Sequence, residues 1–467
     1  MAKLIEHGLS FTEQRPDGSH KLGKRAVVIG AGIGGLATAG ALAQYFEQVD
    51  ILERDRLAAT AGSRSGTPQD RHPHGLLAGG LRALDQIFPG FESGLAAAGA
   101  VPVGFARDVQ FERPDVGALP KRDFGISILC ATRPLIELVL RRQAEAIANI
   151  TLRPAARVTG IVPAADGAGV RGIRFVNGSG GSEILDADLV VDASGRGAPT
   201  LTLLDALGWD RPQMTEIGVD ISYATVVVEI APGATADWKL VLTLPDPPHG
   251  LFHAVMAPTE DGRWIIVIAA HGGTSWIDTW DAFLEASRLL TTPTLSNALR
   301  YARPPDGIRH YRFPVSTWKH FERLPRLPRG VLPVADAFCR FNPIHGQGMS
   351  SAAKQALLLQ DVLSRAVAEP DPIAAVQARL MAEVASVLET PWTMSTSADL
   401  AFPQTRGERP PDFAEARQFE AALFRAAVAD PVVHRAVMEV ALLLKSHHRL
   451  HEPDILRRIE GVSIKAA

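Results

Sequence analysis

The chain has 467 residues, of which 46% are hydrophobic and 21% charged, and its formal net charge is -3. This length exceeds what one hydrophobic core usually supports, so we expect two or three domains. The balanced charge gives no indication of a nucleic-acid partner. Two cysteines, Cys130 and Cys339, are too few for a disulfide scaffold and suit a reducing compartment.

The first 24 residues carry charges throughout and lack the apolar core of a signal peptide. We expect a mobile or loosely docked N-terminal extension over residues 1–24. No apolar run reaches about 18 residues, so we also expect no transmembrane helix. With the cysteine usage, these features predict a cytoplasmic protein.

A β-α-β unit is predicted directly after this extension. Residues 26–30 (AVVIG) form a short, β-branched, apolar run that a glycine ends, as in a buried parallel strand. Residues 35–46 are rich in small side chains and predict a closely packed helix. Residues 49–55 (VDILERD) predict the next strand, which completes the unit.

The turn between the first strand and the helix contains Gly30, Gly32 and Gly35 in the G-x-G-x-x-G spacing. The first glycine permits a tight turn, the second lets a pyrophosphate approach the backbone, and the third lets helix and strand pack closely. The phosphates would meet the positive end of the helix dipole. Glu53, at the end of the next strand, can bond ribose hydroxyls. This context predicts a bound dinucleotide but does not choose between FAD and NAD.

The middle of the chain predicts a long loop, a helix and then a run of strands. Residues 63–80 contain too much Gly and Pro for a regular element and predict a long, shaped loop followed by a helix. Residues 132–147 predict an amphipathic helix. From about residue 217 to residue 270, β-rich segments alternate with Pro, Gly and Asp turns, which predicts a second, mostly antiparallel sheet.

A second glycine-containing loop lies near the start of the largely helical C-terminal part. The segment VADAFCRFNPIHGQGMSSA follows a predicted strand and contains Asp336, Pro343, Gly346 and Gly348 just before a run that predicts a helix. The start of that helix can stabilise negative charge through its backbone N–H groups.

These two loops, together with residues 187–200 (ADLVVDASGRGAPT), resemble three motifs of the class A flavin monooxygenase (aromatic hydroxylase) superfamily of FAD-dependent oxidoreductases. The resemblance covers about residues 25–370. The Asp-Ala-Ser-Gly-Arg form of the middle motif is typical of the halogenase and geranylgeranyl-reductase-like branches. Many hydroxylases have Asp-Gly where this chain has Ser194 and Gly195, which leaves open whether NAD(P)H reduces the flavin directly or another reductant does.

The resemblance implies sixteen FAD contacts, which fall into three groups. The ADP half would be held by the first loop and its neighbours, namely Gly30, Gly32, Gly35, Glu53, Arg54, Arg64, Gln69 and Arg133. The middle motif would contribute Asp192 and Gly195 near the pyrophosphate. The ribityl chain and the pyrimidine edge would be held by Asp336, Pro343, Gly346, Gln347, Gly348 and Met349. For Arg133 a solvated charge in the first turn of a helix is an equal alternative.

The same resemblance implies a monooxygenase in which NAD(P)H or another reductant reduces FAD and O2 forms a C4a-hydroperoxide. One oxygen atom would pass to an aromatic, lipophilic or otherwise electron-rich small molecule, or to a tryptophan of a maturing peptide or protein. The alternatives are a flavin-dependent halogenase, for which the W-x-W segment is missing here, and a prenyl-chain reductase or cyclase. A non-catalytic flavin-binding or maturation partner is an alternative of a different class. No catalytic residue and no metal site are assigned. His253, His271 and His310 are considered as acid–base helpers, and structural roles are favoured for each.

The predicted fold class is α/β, with a Rossmann-like FAD-binding domain, an interleaved and mostly antiparallel β substrate domain, and a helical C-terminal region. The FAD-binding domain would comprise residues 25–205 plus 325–368, the substrate domain residues 206–324, and the helical region residues 369–467.

Overall fold

A computed structural model of the chain describes residues 21–231 and 237–466. Most of the predicted N-terminal extension therefore lies outside the described residues, and the first strand already begins at Gly23. Within the described ranges, no helix combines the length and the apolar character needed to cross a lipid bilayer.

The described residues form strands that are numbered here in chain order. They are β1 (Gly23–Ile29), β2 (Phe46–Leu52), β3 (Gly75–Leu76), β4 (Val101–Gly104), β5 (Val109–Arg113), β6 (Gly117–Ala118), β7 (Ser127–Cys130), β8 (Ile150–Arg153), β9 (Arg157–Pro163), β10 (Val170–Val176), β11 (Ser182–Asp186), β12 (Leu189–Asp192), β13 (Met214–Val228), β14 (Leu240–Thr243), β15 (Phe252–Pro258), β16 (Trp264–His271), β17 (Arg309–Lys319), β18 (Val331–Pro333) and β19 (Cys339–Arg340).

The α-helices are α1 (Ile33–Ala43), α2 (Ala78–Ile87), α3 (Phe91–Ala97), α4 (Arg133–Glu145), α5 (Pro199–Leu207), α6 (Trp280–Arg288), α7 (Thr294–Leu299), α8 (Gly348–Ala366), α9 (Pro372–Leu400), α10 (Phe413–Ala429), α11 (Pro431–Ala441) and α12 (Pro453–Ala466). Short 3₁₀ turns occupy Gly195–Gly197, Phe321–Arg323, Ala335–Ala337, Pro343–His345 and His447–His451.

A five-stranded parallel sheet with the order β18-β12-β1-β2-β8 forms the base of the fold. Strands β12 and β18 and the C-terminal halves of β1 and β2 are buried, because helices cover one face and the small sheet β11-β10-β9 packs on the other. In a parallel sheet all carboxyl ends lie on one edge. The loops after β1, β12 and β18 therefore meet at the same place, although they are far apart in the sequence.

An eight-stranded, mostly antiparallel sheet with the order β19-β17-β13-β16-β15-β14-β5-β6 forms the second layer. Helices α6 and α7 pack on one of its faces around Phe283 and Leu295. Strands β5, β6 and β19 belong to this sheet although the sequence prediction assigns their residues to the FAD-binding domain. The two predicted domains thus share strands, and their boundaries at residues 205 and 325 stay a prediction.

The C-terminal helices pack against both layers. Helix α9 packs against α8 over the parallel sheet, while α10, α11 and α12 pack together beside β5 and the β3-β7-β4 sheet. The backbone N–H of Gly79 in α2 donates to Leu442 O at 2.9 Å, and Lys354 Nζ in α8 donates to Leu443 O at 2.9 Å. The predicted fold class, a Rossmann-like α/β unit with a further β layer and a helical C-terminal region, is confirmed.

Candidate active site

One cavity of about 930 Å³ lies where the two sheets and the C-terminal helices meet. The loops at the carboxyl edge of the parallel sheet line one half of it. The second sheet and helices α9 to α11 line the other half. A cavity between two layers that receives loops from a parallel sheet is the usual position of a cofactor and its substrate in such folds.

The loop after β1 needs its glycines for two different reasons. Gly30 has φ +102°, and a side chain on Gly35 would place its Cβ 1.9 Å from Gly30 O, so neither position accepts a larger residue without distortion. A Cβ on Gly32 would meet only Arg133 Nη2, at 4.0 Å. Gly32 thus leaves open space in front of the N-terminus of α1, which is the space that a phosphate group needs.

The carboxylate of Glu53 is held at the cavity wall by its neighbours. Its oxygens accept the backbone N–H groups of Ala31 and Asp55, each at 2.9 Å, and Oε2 lies 3.2 Å from Arg64 Nη1. Arg64 is itself bonded to Asp55 at 3.0 Å and to Glu137 at 2.7 Å. The guanidinium of Arg64 is therefore already paired with carboxylates, and in this structure Arg64 mainly orients Glu53.

Asp336 follows strand β18 and lies at the carboxyl edge of the parallel sheet, as Glu53 does. Ala335, in the left-handed region at φ +52°, packs its Cβ against Gly34 of the first loop and places Asp336 beside the cavity. The carboxylate of Asp336 has no hydrogen-bond partner among the described residues. Burial raises its pKa above the usual range, although Arg133, Arg340 and other nearby cations act in the opposite direction.

The loop before α8 presents unfilled space and free polar atoms. Gly346 has φ +66°, and a Cβ on Gly346 or Gly348 would meet nothing within 4 Å. The Asn342 side chain accepts from Ile344 N at 3.3 Å and so shapes the turn. Buried Gln347 Oε1 has no hydrogen-bond partner among the described residues. The start of α8 therefore offers backbone and side-chain groups to a bound molecule.

The structure brings fourteen of the sixteen predicted cofactor residues to the cavity wall. They are Gly30, Gly32, Glu53, Arg54, Arg64, Gln69, Arg133, Gly195, Asp336, Pro343, Gly346, Gln347, Gly348 and Met349.

The other two predicted residues, Gly35 and Asp192, do not line the cavity. Gly35 acts through its close packing on Gly30. Asp192 is 1% exposed, and its carboxylate accepts hydrogen bonds from the backbone N–H and the hydroxyl of both Ser194 and Thr200, at 2.6 to 3.2 Å. In this structure the Asp192 carboxylate holds the turn that carries Ser194 and Gly195, and its predicted contact with the cofactor stays a prediction.

The other half of the cavity is apolar and rich in aromatic rings. Its lining rings lie on or directly after β4, β5, α9 and α10, and include Phe105, Phe111, Phe402, Phe413, Phe419 and Phe424. The charged groups in this half are paired. Arg113 bonds Asp115 at 2.9 Å and Glu420 at 2.8 Å, and its guanidinium carbon lies 3.8 Å from the centroid of the Phe424 ring. A molecule bound in this half of the cavity would therefore contact aromatic rings and charged side chains that are already paired.

Polar side chains stand where the two halves join. Gln69 Nε2 donates to the Tyr311 hydroxyl at 2.7 Å, and His72 Nδ1 lies 2.7 Å from Thr225 Oγ1. The rings of His72, Tyr223 and Tyr311 lie 5.5 to 5.8 Å apart between centroids. Burial is the largest cause that lowers the pKa of His72, to about 4, so this imidazole is neutral at pH near 7.

Sequence reasoning missed several of these residues. The sequence predicted only a largely helical C-terminal part, and nothing in it said which surface α10 would cover. Tyr223 and Tyr311 lie on β13 and β17, whose pairing is not encoded in local spacing. His345 stood inside the quoted motif, between Pro343 and Gly346, and its position was the available signal.

The residues present fit an FAD molecule. Open glycine positions lie at two helix starts, a carboxylate at each end faces the cavity, and Arg133 Nε and Gln347 Oε1 are buried without partners among the described residues. A polar cofactor that follows the edge of the sheet would satisfy these groups.

Comparison with known proteins agrees with this geometry. Residues 24–371 match the family described as FAD binding domain. Protein Rv3254 of Mycobacterium tuberculosis (strain ATCC 25618 / H37Rv) is 30% identical over 458 residues, which cover 93% of this chain and 92% of that protein.

Several solved structures share the fold. p-Nitrophenol 4-monooxygenase PnpA from Pseudomonas putida DLL-E4 aligns with a TM-score of 0.64 at 18% identity, over 91% of this chain and 99% of that one. The flavin-dependent brominase Bmp2 aligns with a TM-score of 0.62 at 14% identity, over 95% and 100%. PqsL, a probable FAD-dependent monooxygenase from Pseudomonas aeruginosa, aligns with a TM-score of 0.59 at 17% identity, over 81% and 97%.

At these low identities the solved structures establish the shared fold, while the family match extends over three quarters of the chain. The recognition made from three separated motifs is confirmed: the chain belongs to the family described as FAD binding domain.

Proposed function

We propose that the protein is an FAD-dependent monooxygenase that hydroxylates an aromatic small molecule. The observation that carries this proposal is the continuity of the cavity, which joins the cofactor loops directly to a half lined by rings. When bound and reduced, FAD supplies the chemistry that activates O2 and transfers one oxygen atom. The protein must bind the cofactor, orient the substrate and exclude water.

The residues at the edge of the parallel sheet would divide the work of holding FAD. The N-terminus of α1, opened by Gly32, would receive the pyrophosphate, and Glu53 would accept hydrogen bonds from the adenosine ribose. Asp336 would accept from the ribityl hydroxyls. The start of α8 at Gly348 would stabilise negative charge on the reduced ring system through its dipole.

The apolar half supports a ring-bearing substrate of moderate size. Aromatic side chains from both the second sheet and α10 face the same space, so a flat substrate can be sandwiched between them. The paired charges of Arg113 and Glu420 leave the wall without net charge there. PqsL was solved with 2-aminobenzoylacetate and PnpA is named for p-nitrophenol, which are both small aromatic compounds. A peptide substrate has less support, because helices α10 and α11 cover this half.

NAD(P)H is the proposed reductant, and a separate flavin reductase is the alternative. The turn that would meet a nicotinamide carries Ser194 and Gly195, which the buried carboxylate of Asp192 holds in place. Stopped-flow absorbance of the flavin after anaerobic mixing with NADH or NADPH separates the two options. Direct bleaching by either nucleotide supports the first option, and bleaching only in the presence of an added reductase supports the second.

The proposed function is tested on the purified protein reconstituted with FAD. We expect a yellow protein whose reduced flavin is reoxidised by O2, and mass spectrometry of bicyclic phenols incubated with it should show the gain of one oxygen atom. A protein that cannot be loaded with FAD contradicts the proposal. So does product formation that requires bromide or chloride, which would indicate the halogenase alternative. That alternative calls for an active-site lysine, and the described lining residues include none.

A further inference from the structure

A buried polar network connects helix α9 to the loop before α8. Oδ1 of Asp399 accepts from Asn342 Nδ2 at 2.8 Å and lies 3.3 Å from His345 Nε2. The Tyr223 hydroxyl donates to Asn342 Oδ1 at 2.8 Å. Asp399 is 1% exposed, and its Oδ2 has no hydrogen-bond partner among the described residues.

A carboxylate in this position is costly unless a positive charge accompanies it. Among the described residues no lysine or arginine forms an ion pair with Asp399, and the basic group within ion-pair distance is the imidazole of His345. Once protonated, that imidazole would neutralise the buried charge.

His345 also has access to the cavity. It lies between Pro343 and Gly346 in the loop proposed to hold the flavin edge, and it lines the cavity together with Tyr223. Its Nε2 is directed to Asp399, while its Nδ1 has no hydrogen-bond partner among the described residues. One ring nitrogen is therefore oriented by the carboxylate, and the other is free to contact a bound molecule.

Other titratable groups pack around this pair but are poor proton acceptors. Burial lowers the pKa of His253 on β15 well below its usual range, with His271 and His345 acting in the same direction. Burial also lowers the pKa of His271 on β16, although Asp399 opposes this. Burial raises the pKa of Tyr223 on β13 well above its usual value, so this hydroxyl stays protonated. These three groups remain neutral near pH 7, and among the titratable side chains of the described residues it is His345 that lies within ion-pair distance of the Asp399 carboxylate.

We propose that His345 accepts the hydroxyl proton of a phenolic substrate in this cavity, and that Asp399 is the residue that positions its imidazole. The O–H bond of the substrate breaks, its electron pair stays on the oxygen, and the proton forms a new N–H bond at Nδ1. The resulting phenolate is more electron-rich and the imidazolium is paired with Asp399. This inference rests on the proposed function and narrows its substrate class to phenols on an otherwise uncharged, apolar ring system.

The proposal is tested with 2-naphthol and the oxidised, FAD-loaded protein, without any reductant. Phenols have a pKa of about 10 in water, so the free probe is neutral near pH 7. We expect difference absorption spectra to show naphtholate in the wild-type cavity. In His345→Gln, whose amide can still donate to Asp399, the ratio of naphtholate to naphthol should fall about tenfold or more while the dissociation constant stays within about threefold.

Two further variants separate proton transfer from folding. Asp399→Asn keeps the side-chain volume and should lower the naphtholate ratio in the same direction. The exposed His310 lies on the same sheet as His253 but outside the network, so His310→Gln should leave the bound probe unchanged. In turnover with any phenol that is hydroxylated, His345→Gln should lose about 10²- to 10⁴-fold in rate and the associated pH dependence.

Three results would overturn the proposal. They are neutral 2-naphthol in the wild-type cavity, naphtholate that persists in His345→Gln, and absence of saturable binding of the probe. Because the spectra are recorded without turnover, a protein that deprotonates the probe but never hydroxylates a phenol would contradict the proposed function and leave the proton assignment standing.

Discussion

Replacing Asp336 by alanine should weaken FAD binding without weakening the fold. The carboxylate faces the cavity and has no hydrogen-bond partner among the described residues, and burial raises its pKa. A raised carboxyl pKa means that the unfolded chain ionises more readily than the folded one. At a pH above the ordinary carboxyl value, ionised Asp336 therefore destabilises the cofactor-free protein. Its removal should leave the free energy of unfolding of that form unchanged or slightly higher.

The expected loss in FAD affinity follows from the hydrogen bond that Asp336 would make. A hydrogen bond to a charged group contributes about 1.5 to 3 kcal/mol, which corresponds to a dissociation constant about 10- to 150-fold weaker. Flavin fluorescence titration measures the affinity, and urea unfolding of the FAD-free protein measures the stability. The stability of the wild-type apoprotein should also fall as the pH rises through the window just above the ordinary carboxyl pKa, and this part of the pH dependence should be absent from the variant.

Asp192→Ala is the matched contrast, because the sequence assigned both carboxylates to the cofactor. Four donors from Ser194 and Thr200 would lose their buried acceptor. This variant should lose about 3 kcal/mol or more of stability. The reasoning is refuted if Asp336→Ala unfolds more easily by over about 1 kcal/mol while FAD binds with wild-type affinity.

The remaining predictions concern packing, the apolar wall and pH. Gly35→Ala should cost about 1 to 3 kcal/mol in thermal unfolding, because its Cβ would lie 1.9 Å from a backbone oxygen, whereas Gly62→Ala, with nothing within 4 Å, should change stability by less than about 0.5 kcal/mol. Phe424→Ala should weaken 2-naphthol binding about tenfold and leave FAD affinity intact; an equal loss of both would contradict a separate substrate half. Because the pKa of His72 falls to about 4 in the folded state, the free energy of unfolding should decrease as the pH drops from about 6.5 towards 4. Urea unfolding of His72→Gln should show a shallower decrease over this pH range. An equally steep decrease in the variant would contradict the lowered pKa of His72.

The two glycine-containing loops that line the cavity could be recognised in the sequence because their residues are constrained locally. The glycine spacing at Gly30 to Gly35 and the order from Asp336 to Gly348 each serve one turn and one helix start, so a short window of sequence contains the whole pattern. The strands around them are buried on both faces, which gave short apolar runs. Local sequence did not indicate that the Asp192 carboxylate also accepts four hydrogen bonds from Ser194 and Thr200, because these bonds depend on how the turn folds back on β12.

The substrate half could not be predicted in the same way, because it is assembled from distant segments. Phe105 and Phe424 are separated by more than three hundred residues and meet only after the C-terminal helices pack beside β5. The domain boundaries were difficult for the same reason, since β5 pairs with β14 across the predicted limit of the first domain. The network of His345 and Asp399 likewise depends on the packing of α9 against the second sheet.

The docking of α2 and α8 on residues 442 and 443 has a consequence for the order in which the molecule matures. Protein synthesis proceeds from the N-terminus, and domains generally fold as they emerge. Every loop proposed to hold FAD lies before residue 350, while helices α10 and α11, which cover the apolar half of the cavity, begin at Phe413. We therefore expect the loops that hold FAD to be open to solvent in a nascent chain before α10 and α11 have been synthesised. FAD should then bind with less steric obstruction during translation than it does to the complete protein.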